Sequence, residues 1–195
     1  MLCLEESKKI VIVGIPGVGK TTVVSKVVEI LNSKNKSVSV VSFGTIMFEE
    51  AKKNGIKDRD ELRKLSVGQQ QKLQKIAAET IAKKNDNVVI IDTHAFISTS
   101  SGFYPGMPDY VIKIIKPSNF ISISARPEII YNRRKQDDTR NRDLVSIDTI
   151  KKELAVQDAM LSSCSVLSGS PLKSILNDEG KVEEAAMKVI KAIGL

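Results

Sequence analysis

The sequence predicts a three-layer α/β domain, a five-stranded and mainly parallel sheet with helices on both faces. Two kinds of segment point to it. Ile10-Val11-Ile12-Val13 and Val88-Val89-Ile90-Ile91 are unbroken apolar runs, as in strands buried on both faces. Val24, Val27, Val28 and Leu31, like Val182, Ala185, Ala186 and Val189, recur at i, i+3, i+4 and i+7, the stripe of an amphipathic helix. These two kinds of segment alternate along the chain, which is the pattern of parallel strands joined by right-handed crossover helices. A chain of 195 residues suits one such domain.

Taken in order, the first strand is Ile10–Val13 and the first helix follows residue 19. Ser37–Phe43 reads as a second strand ending at Gly44, and a short helix through Ile46, Met47, Phe48 and Ala51 stops near Asn54-Gly55. The charged run Lys57–Lys64 reads as a solvated helix. Ser66 is placed as the N-cap of a long helix with Leu73, Ile76, Ala77 and Ile81 on its apolar side. Val88–Asp92 is the third strand, and Thr93–Pro108, rich in Ser, Gly and Pro, reads as a long functional loop. Tyr110–Ile115 fits a strand or a helix equally well. Asn119–Ala125 is the fourth strand, Pro127 opens a helix through Arg133, and Ser146 restarts a long one. Leu172–Asn177 is the fifth strand, before a terminal helix.

The bulk numbers exclude several classes. No apolar stretch reaches the ~20 residues of a membrane span, and residues 1–9 lack the apolar core of a signal peptide, so a cytoplasmic location is expected. Two cysteines, Cys3 and Cys164, make neither a disulfide framework nor a zinc site. The net charge of +7 fits any polyanionic ligand, and part of it is concentrated in Arg126, Arg133, Arg134, Lys135, Arg140 and Arg142.

The chemistry starts at Gly14-Ile15-Pro16-Gly17-Val18-Gly19-Lys20-Thr21, followed by Thr22. It matches the phosphate-binding pattern G-x-x-x-x-G-K-[ST] between a strand and a helix start. Glycines let successive N–H groups turn toward a phosphate, and the helix dipole adds positive potential. Lys20 is placed on the β- and γ-phosphates and the Thr21 hydroxyl on Mg²⁺. Asp92, ending the strand expected beside the first, faces the Mg²⁺ shell through water. His94, just after it, is a candidate for substrate contact. The polar run Arg133–Asp143 reads as a mobile lid whose arginines neutralise the transferring phosphoryl group. Arg59 and Arg63, four apart on one helix face, suit the phosphate of a second substrate.

In order, these motifs resemble the archaeal-type adenylate kinases: G-I-P-G-V-G-K-T-T, R-D-E-L-R-K-L-S (Arg59–Ser66), D-T-H (Asp92–His94), P-G-M-P (Pro105–Pro108) and D-x-T-R-N-R (Asp137–Arg142). The resemblance covers nearly the whole chain. It implies a P-loop kinase fold, Mg²⁺-dependent transfer between ATP and AMP giving two ADP, and a homotrimer. It also implies an acceptor-binding insert at about residues 43–66 and a lid at about 133–144. Gly14 to Thr22 would then bind ATP. Gly44, Arg59, Arg63, His94 and Gly106 would lie on the acceptor side, and Lys20, Arg133, Arg140 and Arg142 would be the catalytic cations. The bacterial branch carries D-G-[FY]-P-R in the acceptor loop, whereas here Thr93-His94 follow Asp92 and Gly106 follows Tyr104-Pro105, so that branch's acceptor assignments do not transfer.

No general base is needed, because an acceptor phosphate is already anionic; the protein has to align two phosphates, screen their repulsion and exclude water. Two alternatives remain at this stage. One is a kinase for CMP or UMP. The other is a nucleotide-switched protein of RNA or the ribosome, which the lack of aromatics interleaved with the arginines disfavours.

Overall fold

The computed structural model describes residues 7–99, 102–136 and 146–195; the side chains of Asp60 and Arg63 also lie outside the described set. Arg140, Arg142, Cys3 and most of the expected lid fall among the undescribed residues. The first half of the chain forms β1 (Lys8–Val13), α1 (Lys20–Ser33), β2 (Val38–Ser42), α2 (Phe43–Lys53), α3 (Arg59–Lys64) and α4 (Val67–Ala82). Then come β3 (Val88–Thr93), β4 (Phe96–Thr99), β5 (Gly102–Pro105) and α5 (Asp109–Ile115). The last third forms β6 (Asn119–Ser124), α6 (Pro127–Lys135), α7 (Ile147–Ser168), β7 (Leu172–Leu176) and α8 (Val182–Ala192).

Five strands make one sheet in the order β2-β3-β1-β6-β7, every neighbouring pair parallel. All the loops that follow strands therefore open on one edge, where open α/β sheets bind ligands. Ile10 to Val13 and Val88 to Ile91 are buried, as their unbroken apolar runs require. Helix α1 packs on α8, and α4, α5 and α7 pack in series as a second group. The β1–β3 register sets Ile12 opposite Asp92 and Val13 opposite Thr93. The carboxylate of β3 thus stands level with the end of β1, just before Gly14.

Three sequence expectations are corrected, and one left open is decided. The second strand ends at Ser42, so Phe43 and Gly44 open α2, because the Ser42 Oγ accepts the Thr45 N–H at 3.3 Å and caps that helix. The stretch around Tyr110–Ile115 is a helix. It buries Val111, Ile112 and Ile115 and stops at Lys116, whose φ of 52° leaves the helical region just before Pro117. The segment after Asp92 is not a plain loop. Thr93 still belongs to β3, and β4 and β5 form an antiparallel hairpin with Phe96 and Phe103 edge to face at 4.8 Å. Two strands of four residues are too short for their period to show through a Ser- and Gly-rich composition. Finally, α6 continues through Lys135, so Arg133 and Arg134 stand on its last turn, where cations meet the negative end of the helix dipole.

Candidate active site

The loop Gly14–Gly19 turns from β1 into α1, whose N-cap is Gly19 in the left-handed region, φ 80°, with no side-chain cap. An uncapped helix start leaves its first N–H groups available to an anion. Outside the loop, side chains hold the carbonyl oxygens. His94 Nδ1 donates to the Gly14 carbonyl at 3.2 Å, and Arg134 Nε donates to the Pro16 carbonyl at 2.9 Å. Arg133 Nη1 reaches the Gly17 carbonyl at 3.4 Å, and Asn177 Nδ2 the Val18 carbonyl at 2.8 Å. Arg134 is fixed on its other side by Glu153, at 2.7 Å, with both side chains largely buried.

Lys20, the first residue of α1, reaches across to β3. Its ammonium pairs with Asp92 Oδ1 and donates to the Thr93 carbonyl at 2.9 Å. Burial pulls the Lys20 ammonium below the ordinary lysine range, and the Asp92 carboxylate works against that shift. Thr21 and Thr22 follow on the exposed first turn.

Beside this pair lies a cleft of about 90 Å³. Lys20 and Asp92 line it together with Gly44, Arg59, His94 and Gly106, which come from α2, α3, the β3–β4 turn and the end of the hairpin. Arg59 Nη2 donates to Thr45 Oγ1 at 3.0 Å, and its guanidinium lies 5.8 Å from the Phe48 ring centre. Gly106 crosses the chain so closely that a β-carbon there would sit 2.0 Å from the His94 carbonyl oxygen. Its N–H donates to the Ala95 carbonyl at 2.9 Å.

A family profile described as an AAA domain matches residues 13–151. Adenylate kinase of Thermoplasma acidophilum is 44% identical over 186 residues, covering 95% of this chain and 98% of that one. That of Sulfurisphaera tokodaii is 42% identical (94% and 97% covered), and that of Methanocaldococcus jannaschii 37% (96% and 99% covered). The chain belongs to the adenylate kinase family. It is therefore a phosphotransferase enzyme with a P-loop kinase domain. Among solved structures, shikimate kinase of Bacteroides thetaiotaomicron superposes with a TM-score of 0.61 at 14% identity, over 96% of this chain and 99% of that one. Shikimate kinase of Aquifex aeolicus gives 0.53 at 16%, over 95% of each chain. These two likenesses speak to the fold.

For a member of the adenylate kinase family, the structure gathers Lys20, Gly44, Arg59, Asp92, His94 and Gly106 around one cleft, although they come from five separate segments. Arg133 is directed at the P-loop backbone from α6. Sequence reasoning missed Asn177, Arg134 and Gln74. Gln74 is buried on α4, lines the cleft, donates to the Pro105 carbonyl at 3.3 Å and accepts from the Tyr110 hydroxyl. A glutamine at a core position of an otherwise apolar helix stripe is the one signal that marked it. Arg134 was hidden among neighbouring arginines, and Asn177 was absorbed into the end of a strand. Arg126, which fits no motif, pairs with Asp178 at 3.2 Å on the surface. Cys164 is a core thiol donating to the Met107 carbonyl at 3.5 Å, pushed up to about 11 by burial. Among the described residues no helix is long and apolar enough to cross a membrane.

Proposed function

We propose that this chain transfers the γ-phosphoryl group of ATP to AMP, giving two ADP, in the presence of Mg²⁺. The observation that carries the reading is the shared cleft: the P-loop lysine and the expected acceptor residues Gly44, Arg59, His94 and Gly106 face one space. A cleft of about 90 Å³ suits the phosphate end of an acceptor.

On this reading, the N–H groups of Gly14–Thr22 hold the donor phosphates, and Lys20 exchanges Asp92 for phosphate oxygens. Arg59, with Arg63 from the same helix, receives the acceptor phosphate and holds it in line with the donor. Arg133 screens the charge between them, joined by Arg140 and Arg142 from the segment after α6. Exclusion of water is the remaining requirement, since an open site would hydrolyse ATP. No side chain has to remove a proton, since the attacking oxygen belongs to an anionic phosphate.

The residues also suit a magnesium ion. Among the described residues no group of three or more His, Cys, Asp or Glu could hold a metal alone. One hydroxyl and one carboxylate, Thr21 and Asp92, match an ion that takes its other ligands from water and nucleotide phosphates. When bound, Mg²⁺ would offset negative charge on the nucleotide phosphates; Thr21 would hold it directly and Asp92 through water.

A coupled assay of the purified protein with ATP, Mg²⁺ and each of AMP, CMP, UMP and GMP tests the reading. ADP formation fastest with AMP is expected. Preference for CMP or UMP moves the acceptor assignment, and no ADP with any of the four removes the reading.

A further inference from the structure

Four side chains grip the outer face of the P-loop, and one comes from the far edge of the site. Asn177 follows β7, two strands away from β1. Its backbone N–H donates to the Ser124 carbonyl at 2.8 Å, so its position is set by the sheet. Its side chain is 1% exposed and crosses to the P-loop, where Nδ2 donates to the Val18 carbonyl at 2.8 Å. The acceptor there is a carbonyl, which fixes the amide orientation: the NH₂ group must face the loop.

The bond acts on one peptide unit. In a trans peptide the C=O and the following N–H point in opposite directions. Holding the Val18 carbonyl outward therefore aims the Gly19 N–H inward, at the start of α1. Gly19 is the N-cap, without a side-chain cap of its own, and it adopts φ 80°. The approach is also tight. A β-carbon at Gly19 would lie 2.5 Å from Asn177 Nδ2, so the glycine answers to this contact as well as to its backbone angle.

The same amide is not well served by the fold. Asn177 Oδ1 is buried with no hydrogen-bond partner among the described residues. An unsatisfied buried oxygen destabilises, and an apolar residue would avoid it at a position this enclosed. The polar side chain is accounted for by what its other end does to the loop.

We propose that Asn177 is a positioning residue for the donor site, orienting the Gly19 N–H toward the triphosphate from just beyond β7. The inference rests on the P-loop being the ATP site. It acts on donor binding and alignment, and leaves the acceptor cleft untouched.

The test compares wild type with N177A and N177S in the presence of Mg²⁺. Calorimetry with inorganic tripolyphosphate, ATP and AMP is paired with steady-state kinetics and urea unfolding. Both variants are expected to lose at least tenfold in affinity for tripolyphosphate and ATP. AMP affinity should stay within twofold, and kcat/KM for ATP should fall more than kcat/KM for AMP at saturating ATP. Tripolyphosphate affinity unchanged in both variants overturns the proposal. So does an equal loss for ATP and AMP that tracks a lowered urea midpoint, because that describes a merely structural residue. Wild type that binds tripolyphosphate but forms no ADP removes the kinase reading and still leaves the Asn177 comparison readable.

Discussion

Lys20, at the start of α1, and Asp92 on β3, 72 residues apart in sequence, form an ion pair. The Lys20 side chain is 10% exposed and that of Asp92 31%. Burial is the dominant influence on Lys20 and holds its pKa below the ordinary lysine value. The unfolded chain thus binds this proton more tightly, so charged Lys20 costs stability at neutral pH. The cost is relieved as pH rises from the lowered pKa toward 10.5. Lys20→Met is therefore expected to lose turnover by at least ~10²-fold, the scale for removing an electrostatic contact to a transition state. Its melting temperature at pH 7 should match or exceed wild type, since Asp92 is open enough to be hydrated alone. A coupled assay and a thermal melt check both halves; a fall of more than about 3 °C, roughly 1 kcal/mol for a domain near this size, contradicts the second.

Arg59 is tied to α2 by a neutral hydroxyl, Thr45 Oγ1, and among the described residues no carboxylate pairs with it. Its charge is therefore available to a phosphate. Arg59→Ala should raise the KM for AMP by about tenfold or more, equivalent to the ~1.5–3 kcal/mol of a charge-assisted hydrogen bond, with little change in the KM for ATP. Arg59→Lys should recover part of that, because a lysine offers the charge without the planar fork. Initial rates with one nucleotide varied at a time separate the two constants, and equal rises for both would remove Arg59 from the acceptor side.

Gly106 closes the hairpin against the turn that carries His94. A methyl group there meets main chain, the His94 carbonyl oxygen at 2.0 Å, and no side-chain rotation relieves that. Gly106→Ala is expected to destabilise by about 1–3 kcal/mol or more, as overpacking does, and to raise the KM for AMP by moving His94 and the cleft wall. Urea unfolding measures the first effect. An unchanged midpoint shows that the hairpin yields at no cost.

The sheet was legible because its strands are buried on both faces: Val88–Ile91 and Ile10–Val13 needed no periodicity argument, and Ser66 and Ser146 cap α4 and α7 as placed. The motif residues Lys20 and Asp92 were legible through spacing. What escaped depends on contacts between distant segments. Ser42 could extend β2 or cap α2, and the choice is made by Thr45 together with the packing of Phe43 and Met47. Nothing local to Asn177 says that Val18 lies 2.8 Å away. Gln74 and Tyr110 are satisfied by each other, a pairing that only the packing of α4 against α5 creates.

That Gln74–Tyr110 pair supports the hairpin, since Gln74 also holds the Pro105 carbonyl next to Gly106. Burial, with the Tyr104 phenol beside it, pushes the Tyr110 hydroxyl from 10.0 up to about 12. A raised folded-state pKa means that the folded chain retains the proton longer than the unfolded one. The stabilisation is fully present below about pH 10 and is lost as pH rises toward 12. A titration step near pH 12 is expected in ultraviolet absorbance, and Tyr110→Phe should delete that step. The variant should also show a flatter decline of stability between pH 10 and 12, and a raised KM for AMP through the slackened Gln74. If Tyr110→Phe leaves the late step in place, the shift belongs to another residue and the link from α5 to the cleft is lost with it.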